Sequence, residues 1–163
     1  MTDKELVENN KHQIKETAVD ENDFETIEYL FDNYNLTFSY RETIKYLGKN
    51  NQIIKKYFKE DNYNRKEMKR ILISCYDNLV MTKYFVGECG IIPTLSFYLK
   101  AYRNISLIKN SKEVYEYLIN HKILSHIYLK YKEEINDLSK EYDTFKKDID
   151  KILRNKKIKN LIL

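Results

Sequence analysis

Nine residues in the last third of the chain recur at alternating spacings of four and three: Leu124, Tyr128, Tyr131, Ile135, Leu138, Tyr142, Phe145, Ile149 and Ile152. This is a heptad stripe, with charged residues at most of the positions between. It predicts one long amphipathic helix over residues 124–155, about 45 Å long at ~1.5 Å per residue. The stripe serves either to pack inside a helical bundle or to form a seam with a second copy or a protein partner. Tyr128, Tyr131 and Tyr142 suit a partly wet helix contact, because each hydroxyl needs a partner or water at its tip.

The rest of the chain is also helical in pattern. Phe24, Ile27, Leu30, Phe31 and Tyr34 repeat at helical spacing, and Asn33 and Asn35 read as a stop. Ser39 and Glu42 form a capping box that opens a short helix ending at Gly48. Ile53, Ile54, Tyr57 and Phe58 mark another short helix. A long one follows from Asn64 and Glu67 to about Phe85, with Met68, Ile71, Leu72, Cys75 and Leu79 on its stripe. Gly87, Gly90 and Pro93 place the main reversal, and two more helices follow, around Leu95–Tyr102 and after Ser111. With three Gly, one Pro and no convincing strand, the expected fold is all-α: one multi-helix bundle of six to seven helices with a long amphipathic C-terminal helix. Residues 1–20 read as an acidic, mobile lead, and 21–163 as one α-helical domain.

Charge is unevenly spread. Residues 1–36 hold ten acids and three bases, net −7, whereas residues 39–70 hold ten bases and four acids, net +6. The two segments either pair with each other or form ordinary solvated faces.

Several chemistries find no support. There is no phosphate-binding glycine loop, no zinc-protease or nucleophile-elbow motif and no calcium loop. His121 and His126 are five residues apart, so they point some ~140° from each other on a helix and make a poor metal pair. Cys89 has a neighbouring acid, Glu88, where a reactive thiolate needs a base or a cation. No cofactor, metal site or catalytic residue is expected, and the chain reads as non-enzymatic. It has no apolar run near the ~18 residues of a membrane span, so no integral membrane contact is expected. Cys75 and Cys89 lack disulfide-framework spacing, which fits a cytoplasmic protein. Heavy use of Lys, Asn, Ile and Tyr suggests an AT-rich source of low-GC bacterial, phage or large-viral type, with the host cytosol as the compartment if viral.

Ser39-Tyr-Arg-Glu-Thr-Ile-Lys-Tyr-Leu-Gly48 followed by Lys49-Asn-Asn-Gln-Ile-Ile-Lys-Lys-Tyr57 resembles the helix-turn-helix of DNA-binding regulators. Gly48 matches the turn glycine, and Leu47 and Ile54 match core positions. Ile44 stands where that family usually has Ala, and Lys49 where an apolar residue plugs the turn. The resemblance covers residues 39–57 and implies that the second helix enters the major groove. Asn51, Gln52, Lys55 and Lys56 would then face DNA, Asn51 and Gln52 reading adenine and Lys49, Lys55 and Lys56 neutralising phosphates, with Arg41 also among the DNA-binding residues. The leading expectation is a small regulatory or interaction protein that binds a protein partner, or itself, through helix faces. The alternative is a helix-turn-helix transcriptional regulator that binds nucleic acid and is dimerised by its C-terminal helix.

Overall fold

A computed structural model describes residues 3–120, 124–138 and 140–162, with side chains for 4–120, 130–138 and 140–155. The described residues are all-helical, with no strand. Ten α-helices appear: α1 (Asp3–Glu21), α2 (Phe24–Tyr34), α3 (Tyr40–Tyr46), α4 (Asn51–Tyr57), α5 (Arg65–Ser74), α6 (Leu79–Lys83), α7 (Leu95–Arg103), α8 (Lys109–Asn120), α9 (Leu124–Asn136) and α10 (Asp143–Ile162). The chain divides into two compact units between Ile71 and Leu72, within α5.

The expected six to seven helices become ten for three local reasons. The acidic lead is itself a helix, α1, and it buries Ala18 and Val19 at 3 and 2 % exposure, so it belongs to the first unit's core. The helix expected from Asn64 to Phe85 breaks at Cys75–Asn78, where the Asn78 side chain accepts from the Met81 amide and starts α6. The long C-terminal helix is also broken. Tyr131 has non-helical torsions (φ −117°, ψ 21°), and α9 ends at Asn136. A short 3-10 turn at Lys140–Tyr142 then leads into α10. The Lys146 ammonium donates to the carbonyls of Asn136 and Leu138, capping the broken end with a cation.

The first unit is built around aromatic rings. Asp23 caps α2 by accepting from the Thr26 amide, and Asn35 closes it in the left-handed region at φ 48°. Ile27, Leu30 and Phe31 point inward, and Phe31 meets Phe38 with ring centres 4.5 Å apart. Phe38 in turn meets Tyr46 at 5.4 Å. The Tyr63 hydroxyl donates to the Phe38 carbonyl at 3.0 Å and lies 2.9 Å from the Thr43 hydroxyl, so this buried phenol is satisfied.

The second unit packs α6–α10 around Phe85, Phe97, Tyr98, Leu118, Phe145 and Ile149, all at 0 or 1 % exposure. A π-helical turn at Tyr84–Glu88 precedes the reversal, and Gly90 there has φ 69°. Gly87 answers a different need: a Cβ on it would stand 3.3 Å from the Tyr117 hydroxyl.

Candidate functional site

The resemblance to a helix-turn-helix directs attention to α3, the turn after it, and α4. Local chemistry accounts for both helices. The Ser39 hydroxyl accepts from the Glu42 amide while the Glu42 carboxylate accepts from the Ser39 amide at 2.7 Å, a complete capping box. Gly48 takes φ 84°, a left-handed conformation that disfavours a side chain, and turns the backbone out of α3. Asn50 caps α4 by accepting from the Ile53 amide at 3.1 Å. Thr43, Tyr46, Ile53 and Ile54 face inward, each at 0–2 % exposure.

The six residues expected to contact DNA do not share one environment. Arg41 is exposed beside the Tyr40 ring, its Nε 3.4 Å from the Tyr40 hydroxyl. Lys49 donates to the Asn22 side chain at 3.3 Å. The Asn51 side chain accepts from the Gly48 amide at 3.4 Å and braces the turn. Gln52 is exposed and Lys55 half-buried. Lys56 is tied to α2: its ammonium lies 3.1 Å from Asp32 and 3.9 Å from Glu28, and sits over the Tyr57 ring at 4.8 Å. The Tyr57 hydroxyl donates to the same Asp32 at 2.7 Å. The Tyr57 hydrogen bond first, and Lys56 second, hold the Asp32 carboxyl below its ordinary range. The contacts with Tyr57 and Asp32 raise the Lys56 ammonium above its own.

These pairs resolve the uneven charge of the sequence. Acids of α1 and α2 meet bases of α3 and α4: Asp20 with Lys45, and Asp32 and Glu28 with Lys56. One pair runs the other way, Lys15 of α1 with Glu42 of α3 at 3.0 Å. Of the two readings left open, pairing within the molecule holds for these residues. Exposed pairs of this kind are individually weak and salt-sensitive.

A second cluster enters the sequence reading only as part of the basic segment 39–70. Arg65, Lys66, Lys69 and Arg70 on α5 are all exposed, and Arg70 also reaches the Tyr40 hydroxyl, at 3.4 Å. Both guanidinium carbons lie near the Tyr40 ring, at 6.0 Å for Arg41 and 5.9 Å for Arg70. The available signal was the repeat of cations at i and i+4 (65 and 69, 66 and 70), which ion-pairing in a helix does not call for.

Of the two roles open to the heptad stripe, packing within the bundle describes four of its members. Ile135, Tyr142, Phe145 and Ile149 are 2, 3, 0 and 1 % exposed within the second unit. The break between α9 and α10 turns the stripe onto α8. There Tyr115 donates to Asp148 at 2.8 Å, and its ring lies 6.4 Å from Phe145. Tyr142 packs 5.7 Å from Tyr102 and is hydrogen-bonded to Arg103. Tyr131, Leu138 and Ile152 are half-buried, and Leu138 lies outside any helix. The side chains of Leu124 and Tyr128, with His121 and the side chain of His126, lie outside the described residues. Ile135, Tyr142, Phe145 and Ile149 are thus core residues of the second unit.

Burial pushes the Cys75 thiol well above its ordinary value, which makes it a packing residue rather than a nucleophile. Among the described residues no group of three or more His, Cys, Asp or Glu is placed to hold a metal ion. No helix among them is long and apolar enough to cross a membrane. Comparison with protein-family models, with curated proteins and with solved structures finds no match to this chain.

Proposed function

We propose that this chain is a non-enzymatic regulatory or interaction protein that binds a protein partner through the outer faces of α1 and α2. The observation behind this reading is the exposure of large apolar side chains on two helices that pack together. Leu6 on α1 is 48 % exposed and Tyr29 on α2 is 53 % exposed. Tyr29 stands edge-on to Tyr34 at 6.0 Å, and its hydrogen bond raises the Tyr34 phenol above its ordinary value. Exposed carboxylates of Glu5, Glu8 and Glu25 lie on the same two helices. An acidic surface with protruding tyrosine suits a partner that offers basic side chains around an apolar pocket, since buried tyrosines dominate many interfaces.

The test places a photo-crosslinking amino acid at position 29 in cells of the source organism, identifies the captured protein and measures its affinity in purified form. Tyr29→Ala is expected to weaken that binding by about tenfold or more, and Leu6→Ser to weaken it less. A captured protein whose purified affinity is unchanged by both variants overturns the reading.

A second reading, a helix-turn-helix DNA-binding regulator, draws support from the capped α3, the left-handed Gly48 and the capped α4. Against it stands the attachment of Lys56 to Asp32 and of Asn51 to the turn. Loss of duplex binding in a folded Lys55→Glu, Lys56→Glu variant would favour it.

A further inference from the structure

The cations of α5 are placed against the local interests of the helix. Arg65 and Lys66 occupy its first turn, where the positive end of the helix dipole disfavours cations. Arg65 and Lys69, and Lys66 and Arg70, are like-charged pairs at i and i+4, which repel. Asn64 and Glu67 offset part of this strain. The Asn64 side chain accepts from the Glu67 amide, and Glu67 accepts from the Asn64 amide, both at 3.0 Å. By helical geometry the four cations fall within an arc of about 140° and an axial rise of about 7.5 Å. Local conflicts of this kind concentrate where function requires them.

A contact between helices extends this face. Tyr40, the first residue of α3, meets both Arg41 and Arg70, and each guanidinium lies 3.4 Å from its hydroxyl. The Arg41 contact, more than the Arg70 contact, holds the Tyr40 phenol below its ordinary value. Two arginine forks from different helices thus converge on one point of the surface.

We propose that Arg65, Lys66, Lys69 and Arg70 of α5, together with Arg41 and Tyr40 of α3, form a binding face for the phosphate backbone of nucleic acid. Five cations in one array match the repeated charge of a polyanion better than a lone small anion. The two converging guanidinium groups suit a phosphodiester, whose non-bridging oxygens accept charge-assisted hydrogen bonds from both. The face shares no residue with the Gln52, Lys55 and Lys56 side of α4 or with the Leu6 and Tyr29 surface. Its contacts are to backbone, so it predicts affinity without base preference.

The test is fluorescence anisotropy with the full chain and labelled mixed-sequence oligonucleotides, single-stranded and duplex, between about 50 and about 200 mM salt. Binding is expected to weaken steeply with salt, and comparison of the two oligonucleotides identifies the preferred form. Arg65→Gln, Lys66→Gln, Lys69→Gln and Arg70→Gln combined should lower affinity at least about tenfold. The slope of log K against log salt should fall by up to ~0.9 per duplex contact removed, or ~0.7 for a single strand. Arg41→Gln alone, on the other helix, should lower affinity in the same direction. Arg41→Lys with Arg70→Lys should keep the salt slope, and Lys55→Gln with Lys56→Gln should leave binding within about twofold. Failure to bind either oligonucleotide at low salt overturns the proposal. So does equal affinity in the fourfold variant and in Arg41→Gln. Tighter binding of a poly-aspartate peptide than of either oligonucleotide would reassign the face to an acidic protein.

Discussion

Lys15 and Glu42 meet across 27 positions of chain, with the Lys15 ammonium 3.0 Å from one carboxylate oxygen and 3.1 Å from the other. The same ammonium donates to the Thr37 carbonyl at 3.1 Å, and the same carboxylate closes the capping box at Ser39. One ion pair therefore joins α1 to the start of α3. It is nearly enclosed, with side-chain exposures of 10 and 15 %.

Breaking that pair from one side leaves a poorly solvated charge. Lys15→Met is expected to cost about 3 kcal/mol, more than an exposed pair can supply. Lys11→Met, which loses only an exposed contact with Glu8 on the same helix, should change stability by less than about 0.5 kcal/mol. Urea unfolding at neutral pH measures both, and equal effects would remove Lys15 from its structural role.

Tyr46 predicts a response to alkali. Its ring is 0 % exposed, and its hydroxyl has no hydrogen-bond partner among the described residues. Burial first, with the charges of Glu42 and Asp23 adding to it, pushes the phenol up to about 12. An unfolded tyrosine titrates near ~10. Between those values the unfolded chain has released a proton that the folded chain retains. Stability is thus intact below pH ~10 and declines as pH rises toward ~12. Tyr46→Phe should lessen that decline, the remainder belonging to the buried Tyr98 and Tyr115 phenols, which burial also raises. At neutral pH it should be equal to the parent or about 1 kcal/mol more stable, since an unpartnered buried hydroxyl is removed. Urea midpoints across that pH range, read beside tyrosinate absorbance, decide it. An unchanged pH profile in the variant would show that other tyrosines carry the response.

The heptad stripe makes a third prediction. Phe145 is 0 % exposed against Tyr102 and Tyr115. Phe145→Ala should therefore lower stability by about 3–5 kcal/mol. Ile149→Asp should abolish cooperative unfolding rather than yield a stable species of altered mass. Sedimentation together with thermal melting separates the outcomes; a folded Ile149→Asp protein of smaller mass would restore the stripe as a seam between chains.

Local signals in the sequence were read correctly where the cause is itself local. The Ser39–Glu42 capping box, the Asn35 stop, the Gly48 turn and the Asn64–Glu67 cap each depend on groups within four residues, and each is present. The inward faces of α2 and α5 follow from helical spacing in the same way. Spacing alone does not say where a stripe is cut. An unbroken heptad runs through Leu138, yet the chain turns there because Lys146 caps the exposed carbonyls and α10 gains α8 as a packing surface. Residues 1–20 carry little helical periodicity, and the burial of Ala18 and Val19 depends on the packing of α1 in the fold.

The helical class, most of the caps and the separation of an acidic segment from a basic one follow from residue order alone, because propensity, capping and net charge are properties of short stretches. How those charges meet is a matter of long-range packing: Asp20 with Lys45, Asp32 with Lys56, and Lys15 with Glu42. The same packing brings Arg41 and Arg70 to one hydroxyl, 30 positions apart for Arg70 and Tyr40. Electrostatic and packing energies depend on distance in space, and the distance between residues far apart in the chain is set by the fold.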